Sequence, residues 1–133
     1  MPGRVFEDDR NIPNAERLFR RIPRTWVQWN EGGSASISSA AFKDEELSIN
    51  LESVMARDGR QPVDAIRGRP DCGLAAITAA HARSLNQAVC PDPQPEEPAH
   101  GVVYGQKKHR GIGGKLRDGA AWVVNPPPPT AGS

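Results

Sequence analysis

Leu47-Ser48-Ile49-Asn50-Leu51 sets apolar residues at alternate positions, the period of a strand with one buried face. Ala88-Val89-Cys90, His100-Gly101-Val102-Val103-Tyr104 and Trp122-Val123-Val124 are shorter runs of the same kind. Trp26-Val27-Gln28-Trp29 and Ala35-Ser36-Ile37-Ser38 flank the turn Asn30-Glu31-Gly32-Gly33 and read as a hairpin. Between Asn14 and Pro23 the pattern leaves two readings open. Asn14 can cap a short helix over Ala15–Ile22, while Leu18, Arg20 and Ile22 alternate as in a strand. Pro23 ends either one.

Helical patterning is briefer. Glu52–Asp58 predicts a short helix closed by Gly59, and Pro62–Arg67 another with proline in its first turn. Cys72–Leu85 is the most apolar stretch. Its alanines and the spacing of Leu74, Ile77, His81 and Leu85 predict a buried helix, with a strand over Leu74–Thr78 as the alternative. A last helix is expected over Ile112–Ala121, weakened by its glycines.

The sum is about five or six short strands and three or four short helices without βαβ alternation. That predicts an α+β fold: one compact domain with a mixed, mostly antiparallel sheet. Residues 1–13 read as a flexible arm, 14–124 as the domain and 125–133 as a disordered proline-rich tail. Pro91–Pro98 reads as an extended loop.

Composition narrows the function classes. A chain of 133 residues suits one domain, and a formal net charge of +1 gives no overall field for nucleic acid or an anionic membrane. No apolar run approaches the length of a membrane span. The first residues carry acids and no apolar signal core, so a cytoplasmic location is expected. Cys72 and Cys90 are then read as reduced thiols. His81, His100, His109 and the cysteines have no metal-ligand spacing, so neither metal nor cofactor is expected.

Positive charge does cluster locally. Lys107, Lys108, Arg110, Lys115 and Arg117 stand among Gly105, Gly111, Gly113 and Gly114, ahead of the helix expected from Ile112. Close backbone approach and helix N–H groups beside cations suit a phosphate, on a nucleotide or a nucleic-acid backbone. A solvated basic loop balancing the acidic turns is the competing reading. The segment is not a Walker loop, since Leu116 stands where a magnesium-holding hydroxyl belongs.

Two constellations resemble enzyme families. Asp71-Cys72-Gly73-Leu74 ahead of an alanine-rich segment, followed by the histidine-led run from His100, resembles the NlpC/P60 cysteine peptidases. That resemblance implies a thiol hydrolase with Cys72 as nucleophile at a helix N-terminus, His100 as base and His109 as orienting group. The order Arg20/Arg21, Ser38/Ser39, Glu45/Glu46 resembles ADP-ribosyltransferases and RES toxins. It implies an arginine on the pyrophosphate of NAD and a glutamate beside the reacting ribose; the late acids are Glu96 and Glu97.

Leu18-Phe19-Arg20-Arg21-Ile22, Ser38-Ser39-Ala40-Ala41-Phe42, Leu47-Ser48-Ile49 and Pro98-Ala99-His100 together resemble small uncharacterised bacterial proteins. This implies a compact bacterial domain, encoded beside a partner as in toxin or defence systems, with no activity to carry over. The leading expectation is therefore a binding module. It would take a partner protein or a phosphate-bearing ligand, nucleic acid included, through the basic glycine-rich turn. A small enzyme of either family type is the alternative.

Overall fold

The structure, a computed structural model, describes residues 6–107 and 111–128. Among these, six strands form one sheet: β1 (Arg17–Ile22), β4 (Glu46–Leu51), β5 (Gly73–Thr78), β6 (Ala88–Pro91), β7 (His100–Tyr104) and β8 (Ala121–Val124). Their order is β6-β7-β4-β1-β5-β8, and every pairing is antiparallel. The hairpin β2 (Val27–Trp29) and β3 (Ala35–Ile37) stands apart from it. Three short helices, α1 (Glu52–Arg57), α2 (Ala79–Ser84) and α3 (Ile112–Asp118), complete the α+β domain, with 3₁₀ turns at Arg24–Trp26, Ser39–Phe42 and Pro62–Ile66.

The sheet buries both faces unevenly. Leu18, Ile22, Leu47, Ile49 and Ile77 point to one side, where Phe42, Ile37, Ala82 and Leu116 close the main core. On the other side, Phe19, Leu74 and Ala76 lie under Met55 of α1 and Ala65. Phe6 covers Cys90 and Val102 near the opposite edge. Residues 6–13, which composition reads as an arm, are thus tied down. Asp9 N–H donates to the Val89 carbonyl (2.9 Å), and Arg83 clasps Asp8, the Asp9 carbonyl and Asn14. Buried Phe6 and Ile12 supply the apolar anchors.

The helix expected over Cys72–Leu85 is a strand followed by a helix. β5 lies between β1 and β8 with both faces covered, so its residues form a continuous apolar run that resembles a buried helix. Thr78 marks the switch, its hydroxyl accepting from His81 N–H (3.1 Å) at the start of α2. The ambiguity at Asn14–Ile22 resolves as a strand, because six residues of β1 pair with β5.

One join is thin. β1 pairs with β5 over its whole length, and β4 with β7 over Glu46–Asn50. β1 and β4 pair only at Leu18↔Leu51 and Phe19↔Asn50. The sheet is therefore two three-stranded blocks that part beyond Phe19. Arg20 bridges the parting: Nη1 donates to the Ser48 carbonyl (3.0 Å) and Nε to the Ala41 carbonyl (3.1 Å). Its guanidinium also lies over the Trp26 ring, 5.4 Å from the centroid.

Arg20→Met keeps the apolar stem and removes these bonds, leaving two carbonyls short of a donor. The expected cost is about 2–3 kcal/mol, read as a lower urea midpoint with an unchanged m value. An unchanged midpoint would mean that the two blocks hold together without the bridge.

Candidate functional site

The parting between β1 and β4 opens a small polar cleft on the face opposite the main core. Residues paired across an antiparallel ladder share a face. Ala76, Phe19, Asn50 and His100 therefore form one row across β5, β1, β4 and β7. Two residues along, Arg21 and Ser48 look at each other over the gap. The cavity is about 100 Å³, lined by the polar residues Arg20, Arg21, Ser48, Asn50 and His100 and by the apolar Phe19 and Ile49. It lies between the patch under α1 and the patch under Phe6.

Each polar group is held differently. His100 Nδ1 is 2.9 Å from the Asp92 carbonyl and 3.2 Å from its Oδ2, and Asp92 N–H donates to the His100 carbonyl (2.8 Å). Two acceptors on Nδ1 assign it the proton, which leaves Nε2 as the ring's available nitrogen. Asn50 is buried, and its amide donates to Glu97 Oε1 (3.3 Å). Glu97 is in turn clasped by Arg60 Nη2 (2.7 Å) and by Ala99 N–H (3.2 Å). The Arg60 bond holds the Glu97 carboxyl below its ordinary range. This late acid is thus a structural tie.

Arg21 differs from Arg20 beside it. Its Nε donates to the Ala65 carbonyl (2.6 Å), and its terminal nitrogens have no hydrogen-bond or ion-pair partner among the described residues. Burial, and then the nearby Arg69, destabilises its charge, with Glu97 offsetting part of this. A guanidinium does not shed its proton, so Arg21 stays a cation here, with Glu97 as its nearby carboxylate.

The thiol-hydrolase constellation is not assembled. Cys72 precedes strand β5, not a helix, and lines a different cavity with Arg69 and Val124. Through the pairings His100↔Asn50↔Phe19↔Ala76, three strand spacings and four residues separate Cys72 from His100, on the order of 20 Å. Burial, then Asp71, raises the Cys72 thiol, the opposite of activation. Cys90 is raised to about 11, chiefly by burial, and its Sγ donates to the Glu7 carbonyl. Both thiols are free.

The Arg–Ser–Glu constellation is dispersed as well. Arg20 and Arg21 leave β1 on opposite faces, Ser38 caps the 39–42 turn by accepting from Ala40 N–H, and Glu45 and Glu46 are exposed where β4 begins. His109, Lys108 and Arg110 lie outside the described residues. Lys107 is not a surface cation: it is buried, and its ammonium donates to the carbonyls of Glu45 (3.0 Å), Val103 (3.1 Å) and Gly105 (2.8 Å). Arg117 pairs with Asp118 (3.1 Å), and Lys115 is exposed. Gly113 serves packing, since a Cβ there would sit 3.1 Å from the Phe42 carbonyl oxygen. His81 Nε2 donates to the Lys115 carbonyl (2.8 Å), fixing α3 to α2. Among the described residues, no group of three His, Cys, Asp or Glu could hold a metal ion, and no helix is long and apolar enough to cross a membrane.

Sequence reasoning singled out Arg21 and His100 for other roles and missed Asp92, Asn50 and Ser48. Asn50 carried a usable signal, a polar residue inside the clearest strand. Asp92 carried a fainter one, an acid between Pro91 and Pro93 shortly before a histidine-led strand. Comparison with protein-family models, with curated proteins and with solved structures finds no match for this chain.

Burial pushes the Lys107 amine down to about 8, against the partial support of Glu45 and Asp44. An unfolded lysine holds its proton to about 10.4. Between these values the unfolded chain binds more protons, so stability contributed at this site rises as pH climbs from 8 to 10.4. Chemical denaturation across that range is expected to show a rise relative to Lys107→Met. Parallel curves would place the Lys107 amine in its ordinary range.

Proposed function

We propose that this domain binds a phosphate-bearing ligand, and that the phosphate enters the cleft between β1, β4 and β7. The phosphate expectation drawn from the sequence is kept, and its anchor moves from the 105–117 turn to Arg21. The observation that carries the reading is the Arg21 guanidinium: half-buried and permanently charged, with Glu97 nearby but no carboxylate hydrogen-bonded to it among the described residues, it lines the same cavity as Asn50, Ser48 and His100. Planar paired donors of this kind match a phosphate's oxygens.

Size limits the occupant. Ligand pockets commonly run to about 300–1,000 Å³, and this cavity is about 100 Å³. One phosphate group fills it, and the rest of the ligand lies outside. That favours a binder of a phosphate end over a transferase that enfolds NAD.

Titration with inorganic phosphate, followed by backbone amide NMR, tests this. Shifts are expected in β1, β4 and β7 around Arg21, Asn50 and His100, weakening as salt rises. Arg21→Met, which removes one bond to Ala65, is expected to reduce affinity roughly 10- to 100-fold, the worth of charge-assisted hydrogen bonds. Retained affinity in that variant, or shifts confined to residues 111–118, would sink the assignment.

A further inference from the structure

The hairpin β2–β3 leaves one edge of β3 unpaired beside the last strand of the sheet. We infer that the groove between β3 and β8 takes an extended peptide segment of another protein, which pairs with the outer edge of β3 through main-chain hydrogen bonds. This surface is independent of the phosphate cleft, since Ile37 and Trp122 beside the groove pack on the main-core side of the sheet.

The hairpin ladder fixes which backbone groups point outward. Asn30 N–H donates to the Ser34 carbonyl and Ser38 N–H to the Trp26 carbonyl, both at 2.8 Å. Hydrogen-bonded pairs alternate along an antiparallel ladder. Ser36 therefore exchanges its bonds with Gln28, while Ala35 and Ile37 turn theirs away from β2. The Ala35 carbonyl accepts from the Trp122 indole N–H (3.0 Å). The Ala35 N–H and both backbone groups of Ile37 have no hydrogen-bond partner among the described residues. Ile37 is only 7% exposed, and buried backbone groups are nearly always paired. Unmet donors and an acceptor on alternate residues are the pattern that an added strand completes.

Space for such a strand lies beside these groups. A groove of about 470 Å³ separates Ala35–Ile37 from Ala120–Trp122, inside the range of about 300–1,000 Å³ common for binding pockets. β8 ends the sheet and pairs with β5 alone. Among the described residues no backbone hydrogen bond joins β8 to β3, and the Trp122 indole is the strut between them. The opposite edge of the sheet is handled differently. There the chain covers β6 with its own arm: Asp9 N–H donates to the Val89 carbonyl, and Val89 N–H donates to Asp8 Oδ1, both at 2.9 Å. Proteins cover or blunt their exposed strand edges, and the described residues supply no such cover for β3.

Shape and lining select the occupant. The outer edge of β3 is recessed, with β8 across the groove and Arg117 of α3 alongside. A second copy would have to bring its own β3 out of the same recess, whereas a single extended strand can enter. Residues opposite Ala35 and Ile37 share their face of the ladder, the one that carries Ile37 into the main core beside Trp122. A residue opposite Ser36 shares the polar face, where Asn30 Nδ2 donates to Ser36 Oγ (2.7 Å). The segment that fits therefore alternates apolar and polar side chains. Arg117 pairs with Asp118 (3.1 Å), so the groove sets no preference for charge, and binding should change little with salt.

Selection of a random-peptide display library on the whole protein, followed by N-methyl scanning of the peptide it enriches, tests this. In the protein alone, amide exchange at Ala35 and Ile37 should outpace that at Ser36 and Ser38. With the peptide bound, exchange at Ala35 and Ile37 should slow roughly tenfold or more as their N–H groups gain partners. N-methylation removes one main-chain donor at a time. At alternate peptide residues, those facing β3, it should lower affinity roughly tenfold, and at the intervening residues it should do little. Ala121→Arg fills the groove from an exposed position and should abolish binding while the amide spectrum of the hairpin is retained. Val63→Arg, which lies at a different cavity, should leave binding unchanged. Enrichment of no peptide, losses spread evenly over the N-methyl series, or protection confined to residues outside β3 overturns the proposal. A dimer of the protein alone that protects Ala35 and Ile37 also overturns it and assigns this edge to a second copy of the chain.

Discussion

Two residue pairs join the halves of this sheet. Leu18↔Leu51 and Phe19↔Asn50 are the whole ladder between β1 and β4, whereas the strands on either side pair almost end to end. Backbone groups that lose ladder partners must find others. Arg20 supplies one, giving its guanidinium to the Ser48 carbonyl of β4 and also to the Ala41 carbonyl of the 39–42 turn. A long cationic side chain thus does locally what a third pair of strand residues would otherwise do. The parting is consequently a built feature of the fold.

The alternation of a strand then turns that parting into a site. Arg20 is engaged on one face, and Arg21, the next residue, arrives on the other with its terminal nitrogens making no hydrogen bond among the described residues. The facing strand contributes Ser48 and Asn50, and β7 adds His100, fixed at Nδ1 by Asp92. Apolar patches under α1 and under Phe6 flank this polar strip. Of these patches only Phe19 reaches the cavity, where it and Ile49 are the apolar lining. The loop carrying Glu97 is pinned by Arg60 and Asn50, so the side of the cleft nearest His100 is rigid.

Much of the fold was legible because local pattern and tertiary role agreed. The alternation of Leu47, Ile49 and Leu51 reports a strand with one buried face, and Gly59 closes α1 where expected. β5 was harder. A strand covered on both faces loses its alternation, and Ala75 and Ala76 add helix propensity that strand pairing overrides. The site was less legible still. A dense run of lysines and arginines drew attention to 105–117, yet Lys107 turns inward to three carbonyls and Gly113 serves helix packing. Charge density along a chain says little about where the charges point. The pair Arg20-Arg21 was visible, but only the parting of β1 from β4, a long-range property, separates the roles of the two arginines. Asp92 and His100 meet because β6 and β7 pair, which neither residue announces alone.

The account depends on Arg20 and Arg21 having opposite fates, and arginine side-chain NMR reads both at once. In a phosphate titration of the wild-type protein, the Arg21 guanidinium resonances should shift, saturate and slow their exchange with water. Those of Arg20, already engaged by two carbonyls, should stay where they are. Arg20 shifting with Arg21 unmoved, or both unmoved while phosphate binds elsewhere, would contradict it.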